Sequence, residues 1–341
     1  MIKRLLIALF FIPFISVWSW DDLEERLSSF VLETKKLEIP GFPEAWNPSI
    51  IRWENRYLLS FRVIPNPKTP FNSLLGVIWL DQEFQPVGEP QILNTREEGD
   101  PIPSRAEDGR LVIIGDQLYF IYSDNSESKI SKGGFRVYVA QIGSEEGQFF
   151  LKNIEILREF EGESRAIREK NWTPFDYQGN LLLAYSQSPH LIFYPIPGLG
   201  VCQTLFSTET PHHWDWGGLR GGTPGMEVEG VYLAFFHSCK KMATLHSEGK
   251  EMLHYFMGAY TYSLDPPFPI TRISPEPIIG KNFYHGPVYK PYWGSLRVVF
   301  PCGYVYDDFS LWVAYGRQDR EVWIAKLDKK GLLDSLIEIE R

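Results

Sequence analysis

DGRLVIIGDQLYFIYS, residues 108–123, is the stretch on which the fold turns. A polar residue opens it, a short apolar run follows, Gly115-Asp116 breaks the run, and a second segment rich in Tyr, Phe and Ile completes a hairpin. Four more segments follow the same plan: NPSIIRWENRYLLSFR from Asn47, NWTPFDYQGNLLLAYS from Asn171, GTPGMEVEGVYLAFFHS from Gly222 and GPVYKPYWGSLRVVFP from Gly286. Their turns are Glu54-Asn55, Gln178-Gly179, Glu229-Gly230 and Trp293-Gly294, and in all five segments the opening residue lies 8 positions before the second turn residue. Successive openings are 61, 63, 51 and 64 residues apart. That spacing accommodates a four-stranded antiparallel blade and its connection to the next.

Further strands fall where the outer half of a blade belongs: LLGVIWL from Leu74, FRVYVAQI from Phe135, MGAYTYSL from Met257, LWVAYG from Leu311 and VWIAKL from Val322. The expected fold is therefore all-β, a single five-bladed β-propeller over residues 41–341. A pair of β-sandwiches also yields many short strands, but has no reason to repeat one opening and one turn at a fixed period. Residues 20–40 read as a cap and lead-in strand, with DDLEERLSSF from Asp21 at helical spacing.

The 341 residues are 44% hydrophobic and 15% aromatic, enough for a large core. The 34 Lys and Arg against 43 Asp and Glu give a net charge of −9, which leaves no basic surface for a phosphate backbone, so nucleic acid is not an expected partner. Residues 1–19 place Lys3 and Arg4 before an apolar run, Leu5 to Val17, that is shorter than the ~20 residues of a membrane span; they read as a signal peptide, and the mature chain as exported to the periplasm or the exterior. Cys202, Cys239 and Cys302 are too few and too scattered for a disulfide framework or a zinc site. Each reads as a small residue near a strand, with one bridge left open.

In a propeller the first strand of every blade lines the central channel, so the five openings converge at one end of it. With their neighbours they bring together Asn47; Glu107, Asp108 and Arg110; Glu169, Lys170 and Asn171; Arg220 and Thr223; and His285. Such a mixture of carboxylates, amides, cations and imidazole suits a polyhydroxylated substrate. His212-His213 with Asp215 matches no metal-ligand spacing and reads as a polar loop, so no metal is expected. Trp46, Trp172, Trp214, Trp216 and Trp293 cluster near the openings, as core residues or as stacking platforms for a sugar. The sequence contains no G-x-S-x-G elbow, H-E-x-x-H helix, Walker loop or dinucleotide glycine pattern.

Four short motifs, in order, carry a resemblance: Asn47-Pro48-Ser49, Glu107-Asp108-Gly109-Arg110, Lys170-Asn171 and Tyr315-Gly316-Arg317-Gln318-Asp319. From Asn47 to Leu327 the chain resembles the five-bladed propellers of glycoside hydrolase family 130, the β-mannoside phosphorylases and hydrolases, and related β-mannosyltransferases. The resemblance implies a carbohydrate-active enzyme that cleaves or transfers β-mannosyl groups, with Asp108 as general acid and Asp319 holding substrate or phosphate. The family usually has proline after the acid, where this chain has Gly109, and the segments at Glu169 and Leu219 also differ, which marks a divergent branch.

What attacks the anomeric carbon separates the possible reactions. Inverting hydrolysis needs a second carboxylate to activate water, for which Glu107, Glu169 and Asp319 are candidates. Phosphorolysis needs cations to hold inorganic phosphate as co-substrate, for which Lys170, Arg220, His237 and His285 are candidates. Export favours hydrolysis or transfer. The alternative function is a carbohydrate-binding propeller without catalysis.

Overall fold

The computed structural model describes residues 20–70, 72–96, 104–125, 134–160, 168–288 and 294–340; the signal-peptide reading of residues 1–19 and the turn residue Trp293 lie outside them. The described chain is almost entirely β-structure, apart from one short helix, Lys329–Ser335, and a single 3₁₀ turn.

The strands form five sheets, most of whose strand pairs are antiparallel, in a β-propeller arrangement. The first sheet holds Trp46–Trp53, Arg56–Val63, Leu74–Leu80 and Pro86–Ile92, and the second holds Glu107–Ile114, Gln117–Asp124, Arg136–Glu145 and Gln148–Leu157. The third runs Thr173–Tyr177, Asn180–Gln187, His190–Ile196 and Val201–Thr208, with Glu159–Phe160 added in parallel at its edge. In the fourth, Arg220–Gly221 and Met226–Val228 both pair with Val231–Met242, followed by Met252–Tyr262, Ile270–Ile273 and Ile337–Glu338. The last sheet is Val299–Tyr306, Ser310–Arg317, Glu321–Asp328 and, from the start of the chain, Val31–Leu37.

Local chemistry explains the hairpins. Glu54 and Asn55 (φ 48° and 59°), Gln178 and Gly179 (53° and 78°), and Glu229 and Gly230 (51° and 78°) put both turn residues in the left-handed region. That is the two-residue turn whose twist matches the flanking strands.

Five of the six clusters of buried residues lie between neighbouring sheets; the sixth, Val298, Phe300 and Cys302, is small. Leu59, Phe61 and Ile78 of the first sheet meet Ala314 and Ile324 of the last, while Leu58 and Val77 on its other face meet Leu118, Phe120 and Ala140 of the second. Ile121 and Val137 then meet Leu183 and Phe193; Phe175 and Ile192 meet Phe236 and Tyr260; and Phe235 and Phe256 meet Val313 and Tyr315. Every sheet thus buries both faces against its neighbours and the series closes on itself. At roughly 1.5–3 kcal/mol per fully buried large side chain, these interfaces supply the main stabilising term.

The stretch from Asp21 to Phe30, at helical spacing in the sequence, forms turns, and its Glu24 carboxylate accepts the amides of Asn282, Tyr284 and His285 at 3.0, 2.7 and 3.0 Å. One expectation is corrected: the fifth hairpin is displaced along the chain. The innermost strand of the last sheet is Val299–Tyr306, and its turn is the longer loop Asp307–Phe309. His285 therefore lies on no innermost strand. It is exposed, and its carbonyl accepts a bond from Arg317 at 2.8 Å.

Candidate functional site

At the end where the innermost strands begin, Asn47, Asp108 and Asn171 all take left-handed φ angles, of 47°, 58° and 64°. Short polar side chains tolerate that conformation better than other non-glycine residues. At the first two the ladder also shifts register, between Trp46 and Ser49 and between Glu107 and Arg110. Such bulges re-aim side chains. Here they deliver Asn47 and Asp108 to one cavity of about 630 Å³, and Asp108 and Asn171 to an adjoining one of about 570 Å³.

The two cavities share Asp108, Arg168, Lys170, Tyr255 and Phe300. Asn47, Glu107 and Asp319 line the first, with Arg62, Arg105 and Phe135; Glu169, Asn171, Arg220 and His237 line the second. Each volume falls within the roughly 300–1,000 Å³ usual for small-molecule sites. A larger cavity of about 770 Å³ opens at the opposite, hairpin-turn end. Its Asp176 carboxylate is committed to the amides of Gly115 and Gly179, at 3.0 and 2.8 Å, and it lacks the cation cluster of the other end.

Charge is dense around Asp108. Glu107, 5% exposed, bridges two cations, accepting from Arg62 at 2.7 Å through Oε2 and contacting Lys170 through Oε1. Lys170 also lies 4.2 Å from the centre of the Phe135 ring. Burial, reinforced by Arg62 and Arg105, brings Lys170 down to about 7, with Asp319 opposing. The carboxylate of Asp108 accepts from Nδ2 of Asn47 at 2.8 Å, and Arg62 lies 3.9 Å from the same oxygen. Glu169 accepts from the Trp172 indole at 3.3 Å.

Three of the expected site residues line neither cavity. Arg110 is 1% exposed and lines neither cavity; it donates to the carbonyls of Gly222 at 2.6 Å, Asp108 at 2.8 Å and Gly221 at 3.3 Å, and to Oδ1 of Asn171 at 3.4 Å. A guanidinium can satisfy several fixed acceptors at once, and this one ties together the starts of three sheets. Thr223 is buried, donating to Pro224 and accepting from the Phe235 amide at 2.9 Å. His285, the third, lies outside both linings.

His237 does line the second cavity, but not as a cation. Burial, with Arg110 and Arg220 nearby, holds it well below its ordinary value, so it is neutral at pH 7. Its Nδ1 donates to the Gly221 carbonyl at 3.1 Å, and its ring lies 4.4 Å from that of Phe300.

Sequence reasoning missed Arg62, Arg105, Arg168, Tyr255 and Phe300. Arg62 is the penultimate residue of the second strand of its hairpin, opposite Trp46 and so beside the opening residue Asn47, and following the ladder one step from the opening would have found it. Gly109 has a plain reason: a Cβ there would stand 2.2 Å from Cζ of Phe120. Cys202 and Cys302 are buried as expected, and all three cysteines are free. Trp46, Trp172 and Trp214 belong to the core.

No protein-family model and no curated protein sequence matches the chain. Solved structures do match in fold. β-1,2-Mannobiose phosphorylase from Listeria innocua superposes with a TM-score of 0.57 at 16% identity, over 89% of this chain and 92% of that one. A glycosyl hydrolase from Bacteroides ovatus gives 0.61 at 14%, over 92% and 95%, and a GDP-Man-dependent mannosyltransferase from Leishmania mexicana gives 0.56 at 13%, over 88% and 91%. This chain has the propeller fold of the mannoside phosphorylases and glycoside hydrolases of family 130, the expectation raised by its short motifs.

Proposed function

We propose that the chain is a five-bladed propeller enzyme that transfers a β-mannosyl group to inorganic phosphate, with Asp108 as general acid. Each of the five sheets is one blade in this reading, supported by the five cores between neighbouring sheets. The observation that carries the reaction is the set of cations, Arg62, Arg105, Arg168, Lys170 and Arg220, around the cavities that meet at Asp108. A nucleophile that is itself an anion must be held against its own charge, and guanidinium groups suit a phosphate. Water needs a base instead, and Glu107, engaged by Arg62 and Lys170, is poorly placed to take a proton. Asp108 would protonate the departing sugar oxygen while Asp319 and the segment Glu169-Lys170-Asn171 hold sugar or phosphate. The fold's occurrence in β-1,2-mannobiose phosphorylase supports β-mannosides as the substrate class.

Hydrolysis with Asp319 as base is the second reading. The leader-like residues 1–19 favour it, since an exported enzyme has little use for sugar phosphates. No helix among the described residues is long and apolar enough to cross a membrane, and we propose export of the mature chain. The deciding experiment incubates residues 20–341 with β-linked manno-oligosaccharides, with and without phosphate. Mannose 1-phosphate formed only with phosphate supports the first reading, free mannose regardless of phosphate the second. Sugar binding without turnover, unchanged in Asp108→Asn, would leave a binding protein.

A further inference from the structure

We propose that Asn47 is a positioning residue for the acid, one that engages Oδ1 of Asp108 and so leaves Oδ2 to deliver the proton. The inference rests on the assignment of Asp108 as general acid. Asn47 and Asp108 occupy the same place at the start of adjacent innermost strands, both with left-handed backbone and both nearly buried, at 5% and 7% exposure.

The geometry around the amide is one-sided. Nδ2 of Asn47 donates to Oδ1 of Asp108 at 2.8 Å, while its own Oδ1 is buried without a hydrogen-bond partner. A buried acceptor left unpaired is unfavourable, so the amide would turn over if turning gained a bond. Turning it would set a carbonyl oxygen against a carboxyl oxygen and lose the one bond it makes. Gly316 leaves the space this side chain occupies, since a Cβ there would come within 2.1 Å of the Asn47 oxygen.

Asp108 is held correspondingly. Arg110 grips its backbone carbonyl at 2.8 Å, and both Asn47 and Arg62 approach Oδ1, at 2.8 and 3.9 Å. Among the described residues no side-chain bond goes to Oδ2. A carboxylic acid carries one proton, and its carbonyl oxygen is the stronger acceptor, so the N–H from Asn47 favours Oδ1 as the carbonyl oxygen and Oδ2 as the one that carries the proton. In the reaction it passes from Oδ2 to the glycosidic oxygen as the C1–O bond breaks and that oxygen keeps the bonding pair, while a phosphate oxygen donates a pair to C1. Asp108 is left as the carboxylate, with Oδ1 already bound by Asn47. The charged and titratable groups around it include Arg62, Glu107, Arg110, Arg168, Lys170, Tyr255, Cys302 and Asp319.

The test uses leaving-group dependence, because an acid matters most when the departing oxygen is a poor leaving group. Two probes are turned over with phosphate present: β-1,2-mannobiose, with a poor leaving group, and 4-nitrophenyl β-mannoside, with a good one. Asn47→Gly keeps the left-handed backbone without strain and removes the amide. Its kcat should fall on the order of 10-fold to 100-fold on mannobiose, short of the 10²–10⁴ that a positioned acid supplies, and several-fold less on the nitrophenyl substrate. Asn47→Asp, nearly isosteric, sets a carboxylate against Oδ1 and should move the alkaline limb of the mannobiose profile to higher pH. Equal losses on both probes, or a raised KM at unchanged kcat, would make Asn47 a substrate contact and overturn the proposal. Asp108→Asn run in parallel separates the two failures. If it discriminates between the probes and Asn47→Gly does not, only the Asn47 role falls; if it does not discriminate, the acid assignment falls and this role with it.

Discussion

Replacing Arg110 with methionine keeps the apolar stem and removes every donor from a site where only 1% of the residue is exposed. The two shortest bonds, to Gly222 at 2.6 Å and Asp108 at 2.8 Å, come from a charged donor, and such bonds contribute about 1.5–3 kcal/mol each. The bonds at 3.3 and 3.4 Å add less. Arg110→Met should therefore destabilise the protein by about 3–6 kcal/mol, a large share of the roughly 5–15 kcal/mol of a typical fold. Urea unfolding followed by tryptophan fluorescence would measure it. Arg110→Lys, with one nitrogen in place of a planar fork, should fall between the two. A loss below about 1 kcal/mol, accompanied by weakened sugar binding, would refute the reasoning and return Arg110 to the cavity wall.

Three further outcomes are expected. Gly109→Ala places a methyl 2.2 Å from the Phe120 ring and should cost about 1–3 kcal/mol, a loss that Phe120→Leu in the same chain reduces; thermal melts of the three variants check this. Because Lys170 sits at about 7, its charge is present below that pH and lost above it, so the KM for phosphate should rise as pH climbs through 7. Lys170→Met should flatten that dependence; an unchanged slope would remove Lys170 from the phosphate site. Secreted expression followed by N-terminal sequencing should find the mature chain starting at or near Trp20, and an intact Met1 would count against export.

Turns that demand particular residues were legible in the sequence. Gln178-Gly179 and Glu229-Gly230 announce themselves because few dipeptides accept two left-handed residues in succession, and the openings could be counted back from them. The same count from Gly286 did not reach the last sheet's hairpin, which turns through the longer loop Asp307–Phe309 and has no two-residue signature. Asn47, Asp108 and Lys170 were found because they lie at strand openings. Arg62 and Arg105 were not, one lying across the ladder and the other ahead of its strand. Arg110 shows what a linear reading cannot supply. Its charge stands two residues from Asp108, yet its guanidinium turns back to the peptide carbonyls, a direction that only the packing of three sheets decides.

The strand Val31–Leu37 pairs with Glu321–Asp328, Thr34 opposite Ala325 and Leu37 opposite Val322. The ring is thus fastened by segments almost the whole chain apart. A ribosome must make nearly all of the protein before Val31–Leu37 can meet its partner, and until then that strand is left unpaired and open to any neighbouring chain. Contacts so distant in sequence make for slow folding. If the chain is exported as proposed, crossing a membrane unfolded would delay that closure until both segments are on the same side.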